Sequence, residues 1–158
     1  MSKSVPPVFL PLFRDGMKEG ISPYSITMPG IRSGEAYYFQ TESGLRYQVL
    51  FARKKDAYLE HVVNFSVLNE EFEDEYSETN RGEIYRVIAT VTEIIRLYHE
   101  VHSNSVSYEF SGEFKKRNRG RKTSVRTMLY YRKAMQLVHP QWKVNLEGNR
   151  VTVFRDTY

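Results

Sequence analysis

The chain has 158 residues, of which 41% are hydrophobic, no cysteine, and a formal charge of +4. That length suits one domain whose core needs neither disulfide nor metal, and the lack of cysteine excludes a disulfide framework, a zinc-thiolate site and a cysteine nucleophile, in keeping with a reducing, cytoplasmic compartment. No run approaches the roughly 18 apolar residues that a membrane span takes, and the opening MSKSVPPVFLPLF is too short and too broken by proline for a secretory signal.

Residues 1–34 are rich in proline and glycine and read as an irregular arm with one short helical turn around Phe13 to Glu19. From Glu35 the composition becomes strand-like. Strands are predicted over Ala36 to Thr41, Leu45 to Arg53 and Tyr58 to Leu68, separated by turns at Glu42-Ser43-Gly44 and Lys54-Lys55-Asp56. Connections this short make an antiparallel meander.

Asn69 to Glu78 carries six acidic residues, too much like charge to pack on itself, and reads as a solvated loop. Asn80 and Glu83 then stand three apart as in a capping box, and Ile84, Val87, Ile88, Val91, Ile94, Ile95 and Tyr98 fall on one helical face. A strand follows at Val106 to Phe110, then the basic run Lys115 to Lys122. A second helix is expected from Thr123 or Ser124 to before Pro140, with Val125, Met128, Leu129, Met135 and Val138 buried and Arg126, Lys133 and Gln136 on the polar side. Trp142 to Leu146 and Val151 to Phe154, joined at Glu147-Gly148-Asn149, close the chain as a hairpin whose Trp142 and Phe154 are expected in the core or on a sheet face. The expected fold is α/β (α+β): residues 35–158 form one domain around a single, mostly antiparallel mixed sheet with two main helices, in the order β-β-β-α-β-α-β-β.

From Glu35 to Arg155 this order resembles the GNAT superfamily of N-acetyltransferases. In that family the loop entering the first of these helices carries Q/R-x-x-G-x-G/A, whose main-chain N–H groups hold the pyrophosphate of acetyl-coenzyme A. Here it reads Thr79-Asn80-Arg81-Gly82-Glu83-Ile84. Gly82 matches the first glycine, Thr79 stands where Gln or Arg is expected, and Ile84 replaces the second small residue. Glu83 would oppose a pyrophosphate and Ile84 would add bulk, while Arg81 and Arg86 flank the opening and either could add a cation to an anion site. Arg86 could equally pair with Glu83 or Glu93. The resemblance also implies a general-acid tyrosine at Leu129-Tyr130; the competing view of Tyr130 is a packing residue.

Arg86-Val87-x-x-Thr90-Val91, Phe110 and Arg126-x-x-Leu129-Tyr130 are similar to small uncharacterised bacteriophage-associated proteins. That similarity implies a phage or mobile-element origin.

Residues 1–100 hold 11 Lys/Arg against 15 Asp/Glu, and residues 101–158 hold 12 against 4. Lys115, Lys116, Arg117, Arg119, Arg121 and Lys122, with Arg126 just beyond, have the composition of a phosphate-backbone contact that carries no base specificity. The alternatives are a solvated loop or a pairing with the acidic loop, within one chain or between copies. His61, His99, His102 and His139 show no recognised metal spacing, so no metal is expected, and His99 and His102 read as surface or dipole-compensating groups. No G-x-S-x-G elbow points to a hydrolase. The leading expectation is a GNAT-like domain that binds nucleic acid or an acidic protein without a cofactor. A divergent acetyl-coenzyme A dependent N-acetyltransferase and a structural or assembly protein are the alternatives.

Overall fold

The computed structural model describes residues 12–13, 21–31, 33–68, 81–111 and 125–155. Its elements are β1 (Ala36–Gln40), β2 (Arg46–Lys54), β3 (Ala57–Val67), α1 (Arg81–Val101), β4 (Ser107–Ser111), α2 (Val125–Leu137), β5 (Trp142–Glu147) and β6 (Arg150–Arg155). Both their order and their type agree with the periodicities. The six strands form one sheet in the order β1-β2-β3-β4-β6-β5, and β3 with β4 is the parallel pair, running from Glu60↔Ser107 to Val63↔Phe110. The remaining neighbours are antiparallel. Parallel neighbours need a crossover, and α1 supplies it.

Strand side chains alternate between faces. Tyr37, Phe39, Tyr47, Val49, Phe51, Val63, Phe65, Tyr108, Phe110, Val151 and Val153 are buried on the helix-covered face. All seven predicted apolar positions of α1 are buried, because the 3.6-residue period puts them on one stripe against that face. The opposite face carries an ion network in which Lys54 lies 3.3 Å from Glu109 and 3.6 Å from Glu60, and Arg150 lies 3.5 Å from Glu109.

Two expectations need correction. The stripe of α2 is rotated in part: Val138 is buried as expected, but so are Thr127, Tyr130, Ala134 and Leu137, while Met128 and Leu129 are half-buried and Met135 is 52% exposed; the side chain of Val125 lies outside the described residues. The helix meets the sheet through the aromatic Tyr130, stacked on Phe65 at 4.9 Å, and that contact fixes its rotation. The arm is also more tightly held than its composition suggests. Leu12 and Tyr24 belong to the core, Leu12 O accepts from His139 N–H at 2.9 Å, Thr27 bridges to Tyr38, and Phe13 forms a bridge with Val138 where a helical turn was expected. The rest of that turn, residues 14–20, lies outside the described residues. Trp142, buried, and Phe154, half-buried on β6, lie in the core and on a sheet face as expected.

Among the described residues no helix is long and apolar enough to cross a membrane.

Candidate functional site

α1 begins beside the β1–β2 turn, at the end of the sheet where β3 terminates. Gly44 adopts φ 91° in that turn, which favours glycine. Glu83 Oε1 accepts from Ser43 N–H at 3.0 Å and from Ser43 Oγ at 2.6 Å. Burial alone would push the Glu83 carboxyl up, but hydrogen bonds from Ser43 and Thr41 more than reverse this and hold it below its usual range. Ile84 is buried in the core, so the bulk expected at the helix opening is turned away from it. Arg86 donates through Nε to Ser22 O at 3.1 Å, pairs with Glu42, and lies 3.9 Å over the Tyr24 ring. Its recorded ion pair is therefore with Glu42 rather than with Glu83 or Glu93, and its charge is engaged in holding the arm and the turn.

The first turn of α1 holds Arg81 and Gly82, whose main-chain N–H groups, like those opening any α-helix, have no intrahelical acceptors. The side chain of Arg81 lies outside the described residues. So do the acidic loop, the basic run Lys115, Lys116, Arg117, Arg119, Arg121 and Lys122, and the side chain of Arg126. Their attachment points are nevertheless described. β3 and β4 are adjacent and parallel, so the chain leaves toward both helices from the same end of the sheet.

α2 returns from that end. Tyr130, 4% exposed, stacks on Phe65 and meets Phe110 edge-on at 5.6 Å. Among the described residues Phe110 is the last of β4 in register with β3, and β3 runs on to Val67 beside β2. Tyr130 therefore packs at the carboxyl-end side of the parallel pair, on Phe65 of β3 and Phe110 of β4. Beneath Leu12 and Phe13, between the helices and the sheet, is an apolar cavity of about 30 Å³ bordered by Ile95, Phe110, Tyr130 and Ala134. This is room on the order of a single water, and its walls are apolar.

A second constellation escaped sequence reasoning. His61 on β3, Tyr98 and His99 on α1, Ser105 in the turn to β4, and Tyr108 on β4 are each at most 1% exposed. Tyr98 Oη lies 3.1 Å from His61 Nδ1, Ser105 Oγ lies 2.8 Å from His61 Nε2, and Tyr108 Oη lies 2.7 Å from His99 Nδ1. Ser105 Oγ donates to His102 O at 2.6 Å. Its proton being committed, Ser105 accepts from His61 Nε2–H, and His61 Nδ1 accepts from the Tyr98 hydroxyl. Burial, reinforced by His102, Arg53 and His99, lowers the His61 pKa to about 4. Burial likewise pushes Tyr98 up to about 12 and Tyr108 further up.

His99 is thus a core residue rather than a surface one, because the last turn of α1 lies under Tyr108 and Trp142. The Ser-His-Tyr chain contains groups found in proton relays, but no member is open to a substrate. It latches β3, α1 and β4 together. The only signal for it in the sequence is the cluster Tyr98, His99, His102 at a helix end, and pairing with His61 across 37 residues cannot be read from spacing.

Among the described residues no group of three or more His, Cys, Asp or Glu side chains is arranged to hold a metal ion. Compared with known proteins, the chain matches no protein-family model, no curated protein and no solved structure.

Proposed function

We propose that this chain is a GNAT-like α/β domain of phage or mobile-element type that binds the phosphate backbone of nucleic acid in the cytoplasm of a bacterial host. The single observation that carries this is the parallel β3–β4 junction. Ligands of α/β sheets sit beyond the carboxyl ends of parallel strands, where helix N-termini gather. At that end the first-turn N–H groups of α1 and the segment bearing Lys115 to Lys122 originate from neighbouring strands, which supports one shared anionic ligand. Contacts of this kind release counterions, so affinity falls steeply with salt.

Fluorescence anisotropy with a labelled oligonucleotide tests this. Binding at low salt that collapses on raising the salt, and that is lost when Lys115, Lys116, Arg117 and Arg119 are replaced by glutamine, is the expected result. No binding at low salt sinks the proposal.

A second reading, a divergent acetyl-coenzyme A dependent N-acetyltransferase, is favoured by the place of Tyr130 against Phe65 and Phe110 of the parallel β3–β4 pair. The fit is partial. Arg86 is engaged elsewhere, leaving first-turn N–H groups as the described donors to a pyrophosphate, and Tyr130 would need access to act as an acid. Acetyl-coenzyme A at about a hundred times its dissociation constant would add about 2.7 kcal/mol of stability, visible as a thermal shift; no shift at saturating cofactor excludes this reading.

A further inference from the structure

Arg86 is the point at which α1, the β1–β2 turn and the arm are joined. Its Nε donates to Ser22 O at 3.1 Å, its guanidinium lies 3.9 Å over the Tyr24 ring, and it pairs with Glu42 of the turn. Tyr24 is fixed as well. Its main-chain N–H donates to Thr90 Oγ1 at 2.8 Å, Thr90 Oγ1 donates to Arg86 O at 2.6 Å, and the Tyr24 ring stacks on Phe39 at 6.0 Å. One helical turn, Arg86 to Thr90, thus carries the junction.

The contacts of this junction are unequal. Thr90 is fully buried and Tyr24 nearly so, whereas the Arg86–Glu42 pair is open to water, with side chains 33% and 65% exposed. An ion pair so exposed is weakly held, and a phosphate, which takes a guanidinium through two charge-assisted hydrogen bonds, is a stronger partner for it. Arg86 follows Gly82 by four residues, so the two share one face of α1, and a long helical side chain leans toward the N-terminus of its helix. The guanidinium is therefore placed toward the end of the sheet proposed for the anionic ligand, with its charge cancelled by a carboxylate of the chain itself.

We propose that Glu42 and the arm form an autoinhibitory clasp on Arg86, and that a backbone phosphate of the nucleic acid displaces Glu42 and takes the guanidinium in its place. This regulation rests on the proposed nucleic-acid function and adds Arg86 as a contact made only in the bound state. As the guanidinium turns to the phosphate it leaves Ser22 O and the Tyr24 ring, so the arm loses two of its ties to α1 and keeps the bond from Tyr24 N–H to Thr90. Arm docking and ligand binding then compete. The competition is reciprocal: a change that opens the clasp tightens the ligand, and the ligand loosens the arm by the same factor.

Fluorescence anisotropy of the full chain with a labelled oligonucleotide, across a salt series, tests the clasp. Glu42→Gln is expected to bind about fivefold tighter than wild type, with a salt dependence steeper by about one phosphate contact. Arg86→Gln is expected to abolish that gain, so that the double variant binds no tighter than Arg86→Gln alone. Hydrogen exchange at the Tyr24 amide of the wild type is expected to quicken about fivefold at saturating oligonucleotide, by the same linkage. A gain from Glu42→Gln that persists without Arg86 reports only the loss of a like charge and overturns the proposal. So does a Glu42→Gln affinity equal to that of wild type, or a Tyr24 amide that the oligonucleotide leaves unchanged or slows. Each of these results leaves the nucleic-acid function standing, whereas no binding at low salt by either wild type or Glu42→Gln removes that function and the clasp together.

Discussion

The two ends of the β3–α1–β4 crossover are built on opposite principles. Where the strands terminate, the polar groups are those of a helix opening, Glu83 and Arg86 reach sideways to the β1–β2 turn and the arm, and both connecting loops depart. At the other end Tyr98, His99, His61, Ser105 and Tyr108 are sealed from water and hydrogen-bonded to one another, with Tyr98 stacked on Phe51 at 3.8 Å. The first end carries the N–H groups that the proposed anionic ligand would use, and the second consumes its own polar groups. The same crossover separates the end proposed for binding from a latch that holds the strands in place.

The largest expected effect lies in the latch. Tyr98→Ala removes a fully buried ring and strands His61 Nδ1, at a cost of about 4 kcal/mol, to be read as a fall in melting temperature on the order of 10 °C. A loss no greater than that of an exposed substitution would break the contrast between the ends.

Acidification comes next. The folded-state pKa of His61 is lowered to about 4 from 6.5, so below pH 6.5 the unfolded chain binds a proton that the folded chain refuses. Stability is fully present above that value and declines as pH falls toward 4, by roughly 3 kcal/mol in all. Denaturant titrations of wild type and His61→Gln at pH 7 and pH 4.5 check this: the difference between the two proteins should shrink at the lower pH, and a constant difference would show that His61 does not titrate in this window.

The smallest effect belongs to the open end. Arg86→Ala loses its contacts to Tyr24, Ser22 and Glu42, about 1 kcal/mol at a partly exposed site, and should speed proteolytic cleavage near residues 21–24 more than it lowers the melting temperature.

Much of the fold was legible because periodicity is local. The order of all eight elements and the stripe of α1 follow from spacing within windows of a few residues. The α2 stripe was misassigned at Met128, Leu129 and Met135 because these are more hydrophobic than Tyr130 and Ala134, and only the Phe65 and Phe110 rings on the sheet turn the Tyr130 side inward. Of the candidate site, Gly82 lies in the first turn of α1, close to where the helix start was expected, whereas the engagement of Arg86 by Glu42 spans 44 residues and has no local signature.

By itself, then, the amino-acid order determined where helices and strands form, the charge division and the absence of thiol chemistry, since these depend on side chains close together in the chain or on composition. Tertiary structure alone decided that β3 and β4 run parallel, that the helix openings share one end, that Tyr24 and Leu12 of the arm enter the core, and that His61 is neutral between Tyr98 and Ser105. Each of these depends on which distant segments meet, and burial and hydrogen-bond satisfaction, rather than sequence spacing, select that meeting.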